Sequence, residues 1–200
     1  MTRRRSTRAI AGRALRRGAS LPPLALALAL ALAPAGCGDA DAPTVVRASD
    51  IPVAHTPPGG YGDVMPPPIL ALCTEPLADG APDLRGLWTS ETVTFDGEPA
   101  PADAPLWRHV ERIEQCGDRV VVTSSGVIHD MRADGTVDNG VHDVSALNFQ
   151  PITVVATFED GALVLRPVGI PGFVVTRARD GDALVWSYGP TITVRMRRVD

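Results

Sequence analysis

From Leu84 onward, apolar and polar residues alternate in short runs, and a turn signal closes each run. The last run is the clearest: Ile192, Val194 and Met196 point one way, and Thr191, Thr193, Arg195 and Arg197 the other. Similar β-branched runs (RVVVT, ITVVATF, ALVLRPV, FVVTRA, ALVWSY) stand between Cys116-Gly117-Asp118, Asp134-Gly135, Asn139-Gly140, Asp160-Gly161 and Asp180-Gly181-Asp182. Period-two alternation with Asx-Gly turns about every 8–12 residues predicts an all-β fold, an antiparallel up-and-down meander of about eight to ten strands. One face of that sheet is buried and one is wet. The hairpins EDGALVL and RDGDALVW look alike, which reads as reused turn chemistry rather than a solenoid. The segment DAPLWRHVERIEQCG reads two ways. It is a helix capped by Asp103 with Leu106, Val110 and Ile113 on one face, or a strand from about His109 turning at Cys-Gly-Asp. The strand fits the meander better.

A second alternating run, Leu24 to Ala33, has a different meaning. Its leucines and alanines are strong helix formers with no polar face, and the run is too short for a bilayer, which needs about 20 apolar residues. Seven arginines and no acid precede it, so residues 1–36 read as a secretory signal peptide. Cleavage after Ala33-Pro34-Ala35 would release a soluble secreted β-domain without an anchor. Alternatively, Ala35-Gly36-Cys37 resembles the lipobox of bacterial lipoproteins. That resemblance implies a lipid on Cys37 and residence at the bacterial cell envelope, on the inner or outer membrane. The chain has three cysteines, and an exported protein tends to pair its thiols. With Cys37 acylated, Cys73 and Cys116 are left to form one disulfide, adding about 3–4 kcal/mol.

Residues 37–68, proline- and glycine-rich and without apolar periodicity, read as a disordered tether. Order is expected to begin near Ile69, with 69–83 an ordered lead-in carrying Cys73. Residues 84–200 are then long enough for one β-barrel domain with one core. Beyond Cys37 the chain holds 12 arginines against 23 acids, a net charge of −11. Such a surface repels phosphate backbones and anionic headgroups, so no nucleic acid is expected as partner, and membrane attachment must come from the lipid. The chain has no lysine, which removes a phosphate-loop or Schiff-base lysine.

Gly86-Leu87-Trp88, at the start of the first strand, resembles the G-x-W that opens lipocalin barrels. The resemblance implies a small lipocalin-like barrel with Trp88 plugging the closed end under an arginine of the last strand: Arg195, Arg197 or Arg198. It also implies a cup for a small apolar molecule, or a cup filled by its own side chains.

His129 and His142 would lie diagonally on one sheet face if Asp134-Gly135 were a two-residue turn, about 7–8 Å apart. A zinc site wants three or four converging ligands, so two solvated strand histidines are the expectation, with no metal and no cofactor. Trp88, Trp107 and Trp186, with Leu184 and Tyr188 on the face of Trp186, line a ligand cup or pack as core. No nucleophile elbow, metalloprotease helix, C-x-x-C or nucleotide loop is present, and Ser124 and Ser125 fall in a turn. The expected function is therefore a non-catalytic envelope lipoprotein whose barrel binds a small apolar ligand. The rival is a filled barrel that binds an envelope protein partner.

Overall fold

Alternation becomes strand wherever two faces of the chain have different neighbours. The structure, a computed structural model, describes residues 44–145 and 151–199. The signal segment and Cys37 lie outside the described residues. The strands are β1 (Gly86–Phe95), β2 (Glu98–Pro99), β3 (Val110–Cys116), β4 (Arg119–Ser124), β5 (Val127–Arg132) and β6 (Val141–Ser145). They continue with β7 (Pro151–Glu159), β8 (Ala162–Pro167), β9 (Val175–Asp180), β10 (Ala183–Tyr188) and β11 (Ile192–Val199). The sheet runs β5-β4-β3-β1-β11-β10-β9-β8-β7-β6, with β2 beside β1, and each strand pairing among the described residues is antiparallel. First and last strands are thus internal neighbours, and the sheet curls into a nearly closed barrel.

The ambiguous segment resolves as both elements in turn. Pro105–Arg108 makes one 3-10 turn, and the strand follows from Val110. Turn chemistry sets the hairpins: Asp96-Gly97, Ser125-Gly126 and Asp160-Gly161 each hold both residues at positive φ, as two-residue hairpins with the twist of the sheet require. A bulge between Ser90 and Thr92 shifts the alternation of β1, so that both Trp88 and Val93 are buried.

The barrel departs from expectation at its seam. Asp134 does not open a tight β5–β6 hairpin. Its carboxylate accepts from Thr136 N (2.9 Å), Thr136 Oγ1 (2.8 Å) and Asn139 Nδ2 (2.6 Å), which folds the segment on itself. Gly135 N then donates to Ala156 O on β7, and Arg132 N reaches Asn139 O at 2.9 Å. Among the described residues there is no β5–β6 ladder.

Residues 44–68 are a correction. Expected as a solvated tether, they form a strap across the outer face of β3, β4 and β5. The physical reason lies in the sheet, not in the strap. Proline-rich chain has fewer N–H groups than carbonyls, so it needs donors from elsewhere. Arg119 supplies them: Nη1 donates to Ala48 O (2.7 Å) and Ile51 O (2.6 Å), and Nη2 to Pro52 O (2.8 Å). Thr56 Oγ1 bonds both Ile128 N (2.9 Å) and Ile128 O (3.1 Å), covering part of the β5 edge. Ala48, Leu70, Cys116, Val121 and Ile128 make a small second core beneath. Order therefore begins well before Ile69. The Cys73–Cys116 disulfide, with Cα atoms 6.1 Å apart, staples the strap's end to β3.

Candidate functional site

The inner face of the barrel has a sealed floor and a looser upper half. At the floor Trp88 is fully buried and its Nε1 donates to Leu84 O at 2.9 Å. Its ring lies 4.8 Å from the guanidinium of Arg179 and 5.8 Å from that of Arg198. A Cβ on Gly86 would stand 3.1 Å from Arg198 Nε and 3.2 Å from Trp88 Nε1, so this corner has little room for a side chain. Arg198 is the direct cross-strand partner of Trp88. Arg195 and Arg197, named as plug candidates, are corrected: they alternate with buried Val194 and Met196 and so face out. Arg195 pairs outside with Asp180 and, at 3.9 Å, with Glu91. Arg179, from β9, was not anticipated.

Above the floor sits a charged pair inside the barrel. Glu111 on β3 is fully buried, and Arg177 on β9 is 7% exposed. Arg177 Nε donates to Glu111 Oε1 (2.9 Å), and Nη2 to Oε2 (2.8 Å). His109 Nε2 lies 3.4 Å from Oε2. Burial alone would raise the Glu111 carboxyl. The Arg177 charge and the hydrogen bonds of His109 and Arg177 outweigh it and bring it from the ordinary 4.5 down to about 2. Arg177 also lies 5.7 Å from the ring of Trp186, its cross-strand partner, and His109 stacks on that ring at 4.9 Å. Two donors here, Arg177 Nη1 and Trp186 Nε1, are buried with no hydrogen-bond partner among the described residues.

Sequence reasoning missed Glu111, Arg177 and His109, although a signal was present. Glu111 is in phase with buried Ile113, and Arg177 with Val175, so each charge occupies an inward position of an alternating strand.

At the upper end Trp186, Leu165, Phe95 and Ile192 pack on the core yet remain only partly buried. Tyr188 is 44% exposed and meets Phe173 edge-on at 5.0 Å. Leu184, Trp186 and Tyr188 do share one face, and it grades from fully buried to exposed going up. Leu106 and Trp107, from the β2–β3 connection, pack against this core, with Trp107 Nε1 bonded to Pro101 O at 2.8 Å.

Ser124, His109 and Glu111 adjoin one another, with the Ser124 hydroxyl directed at the backbone. Ser124 Oγ lies 3.4 and 3.5 Å from the two ring nitrogens of His109, and at the shorter distance of 3.0 Å it donates to Val110 O. The diagonal histidine arrangement is corrected as well. His129, opposite inward Val122, faces the barrel, whereas His142 follows buried Val141, is exposed and meets Thr153 Oγ1 at 3.2 Å. The one three-residue cluster of metal-ligating groups among the described residues is Cys73, Glu75 and Cys116, and the disulfide occupies its sulfurs.

No protein-family model and no curated protein matches the chain. Among solved structures, zebrafish ileal bile acid-binding protein complexed with cholic acid is similar at 18% identity and a TM-score of 0.44, covering 57% of this chain and 98% of that one. Human cRBP IV is similar at 17% identity and a TM-score of 0.41, covering 58% and 98%. Likeness at this level transfers no ligand, and the barrel stands on its own strand register.

Proposed function

We propose that this chain is a non-catalytic binding protein of the bacterial cell envelope, anchored by a lipid on Cys37, whose barrel takes a small, largely apolar ligand at its upper end. The observation that carries the reading is the gradient along the inner face. Floor residues such as Trp88, Leu184 and Met196 are sealed, while inward apolar residues of the upper half, Trp186 and Ile192 among them, stay accessible. Partly exposed apolar surface pointing into a barrel is what a small-ligand site offers. The mature charge of −11 leaves the lipid as the means of attachment.

Titration of the mature protein with an environment-sensitive apolar dye tests the site. Saturable binding with a blue shift is expected, weakened several-fold or more by Trp186→Ala. A protein that never binds such dyes sinks the reading. The anchor is tested separately: Cys37→Ser moves the protein from the membrane to the soluble fraction.

The rival, a barrel that uses its outer wall to hold a protein partner, draws on the strap. Val64 in the strap and Leu72 just beyond it are 80% and 77% exposed. It predicts a partner lost on strap substitutions and an interior indifferent to dyes.

A further inference from the structure

The interior site has a polar requirement that an apolar cup alone would not impose. Arg177 and Trp186 face each other across β9 and β10, and each keeps one buried donor, Nη1 and Nε1, with no acceptor among the described residues. Buried donors are satisfied in folded proteins, because leaving one unmet is expensive; something at this position accepts. The unmet atoms are donors only, so the complement is an acceptor, not a donor.

Charge then narrows the choice. The guanidinium is already neutralised by the Glu111 carboxylate, which it holds through Nε and Nη2. A ligand carboxylate would bring a second anion beside a fully buried first one, a like-charge contact at low dielectric. A neutral acceptor meets the donors without that repulsion. The neighbouring surface is apolar or aromatic: Trp186, stacked by His109, with Leu163 opposite Arg177 on β8.

We propose that the barrel's ligand is an uncharged amphiphile, an apolar body ending in a ketone, ester, amide or similar carbonyl, whose oxygen accepts from Arg177 Nη1 and Trp186 Nε1. This rests on the barrel reading above and specifies the polar end of its ligand. It separates a carbonyl lipid from a fatty acid, which the mature chain's surplus of acids also disfavours.

The test is displacement of a bound apolar dye from the mature protein by a matched set of probes. They share one alkyl chain and end in a methyl ketone, a carboxylate or no polar group. The ketone is expected to bind at least about tenfold tighter than the hydrocarbon, the worth of one good hydrogen bond to a charged donor. It should also bind tighter than the carboxylate at neutral pH. Trp186→Phe, which keeps a ring and removes Nε1, should shrink the ketone-to-hydrocarbon ratio, whatever it does to absolute affinity. If ketone and hydrocarbon bind equally, the donors are met by water and the proposal falls, while the barrel reading stands. If the carboxylate binds tightest, the proposal falls and an anionic ligand replaces it. If the dye binds but no probe displaces it, this ligand class is wrong. If the dye itself never binds, the barrel reading fails and takes this proposal with it.

Discussion

Among the described residues two arginine–carboxylate pairs have both side chains buried, one on each side of the same sheet, and they are built to different specifications. Outside, under the strap, Arg119 is 3% exposed and grips Asp130 through Nε (2.8 Å) and Nη2 (2.6 Å). Its other hydrogens go to Ala48, Ile51 and Pro52 carbonyls, and the second function of Asp130 is to accept from Ala54 N at 2.8 Å. All five guanidinium donors have partners. Inside, Arg177 grips Glu111 with similar geometry, but its Nη1 meets no partner among the described residues. A complete network fixes a unique arrangement; an incomplete one is either a defect or a place prepared for something else. The outer pair reads as structural and the inner pair as functional.

The largest effects come from breaking the outer pair. Arg119→Met leaves Asp130 buried and uncompensated, with an expected loss of about 3–5 kcal/mol. Removing the partner as well, in Arg119→Met with Asp130→Leu, does not restore stability. Ala48 O, Ile51 O, Pro52 O and Ala54 N still lose their partners, at roughly 1 kcal/mol each. Chemical denaturation should report the loss, and amide exchange should place it in residues 44–56. If the double variant matched the wild type, the strap would be held by its apolar contacts alone and the contrast would collapse.

Much of this was legible in advance, and the illegible part has one cause. The meander, the hairpin at Cys116-Gly117-Asp118 and the inward face of Leu184, Trp186 and Tyr188 follow from period-two alternation and turn chemistry, which are local. The strap has no period, because its order comes from sheet side chains distant in sequence. One trace was nonetheless visible. In RVVVT, Val120, Val121 and Val122 are apolar without alternation, and a strand apolar on both faces must be covered on both. The inner pair escaped for the opposite reason: Glu111 and Arg177 break the alternation and pass for solvent-facing charges until the register is known. The two-residue turn at Asp134-Gly135, which would have set His129 diagonal to His142, failed because the Asp134 side chain satisfied the turn itself.

The inner pair should respond differently to the same double replacement. In Arg177→Met with Glu111→Leu, ion pair and unmet donor disappear together. Stability should stay within about 1 kcal/mol of wild type or rise, as for apolar replacement of other buried pairs. The acid limb should change too. The folded carboxyl of Glu111 lies below its unfolded value, so its contribution is complete above about pH 4.5 and is lost as pH falls towards 2. The double variant should therefore lose less stability across that window than the wild type. Some slope remains, because Glu159 is also held down to about 2, by Arg166 and then by Thr157. Denaturation curves at several pH values decide it: an unchanged acid limb would mean Glu111 is not charged inside the barrel.

The smallest expected effect sharpens the contrast from the strap side. Thr123 lies on β4, fully buried, and its Oγ1 has no hydrogen-bond partner among the described residues. It belongs to the outer face, since its neighbours Val120 and Val122 alternate with it and Val122 joins the barrel core. The outer layer thus has an unmet polar atom of its own, but this one is a rotatable hydroxyl with no charge, no second donor and no open apolar surface beside it. Nothing about it selects a ligand. Thr123→Val keeps the shape and removes the hydroxyl, so a gain of about 1 kcal/mol is expected, read as a higher denaturation midpoint at unchanged slope. Dye binding should be unaffected, because the residue faces away from the interior. If Thr123→Val instead weakened dye binding, the two faces of the sheet would be coupled through β4. An unmet donor inside could then no longer be read independently of the strap outside.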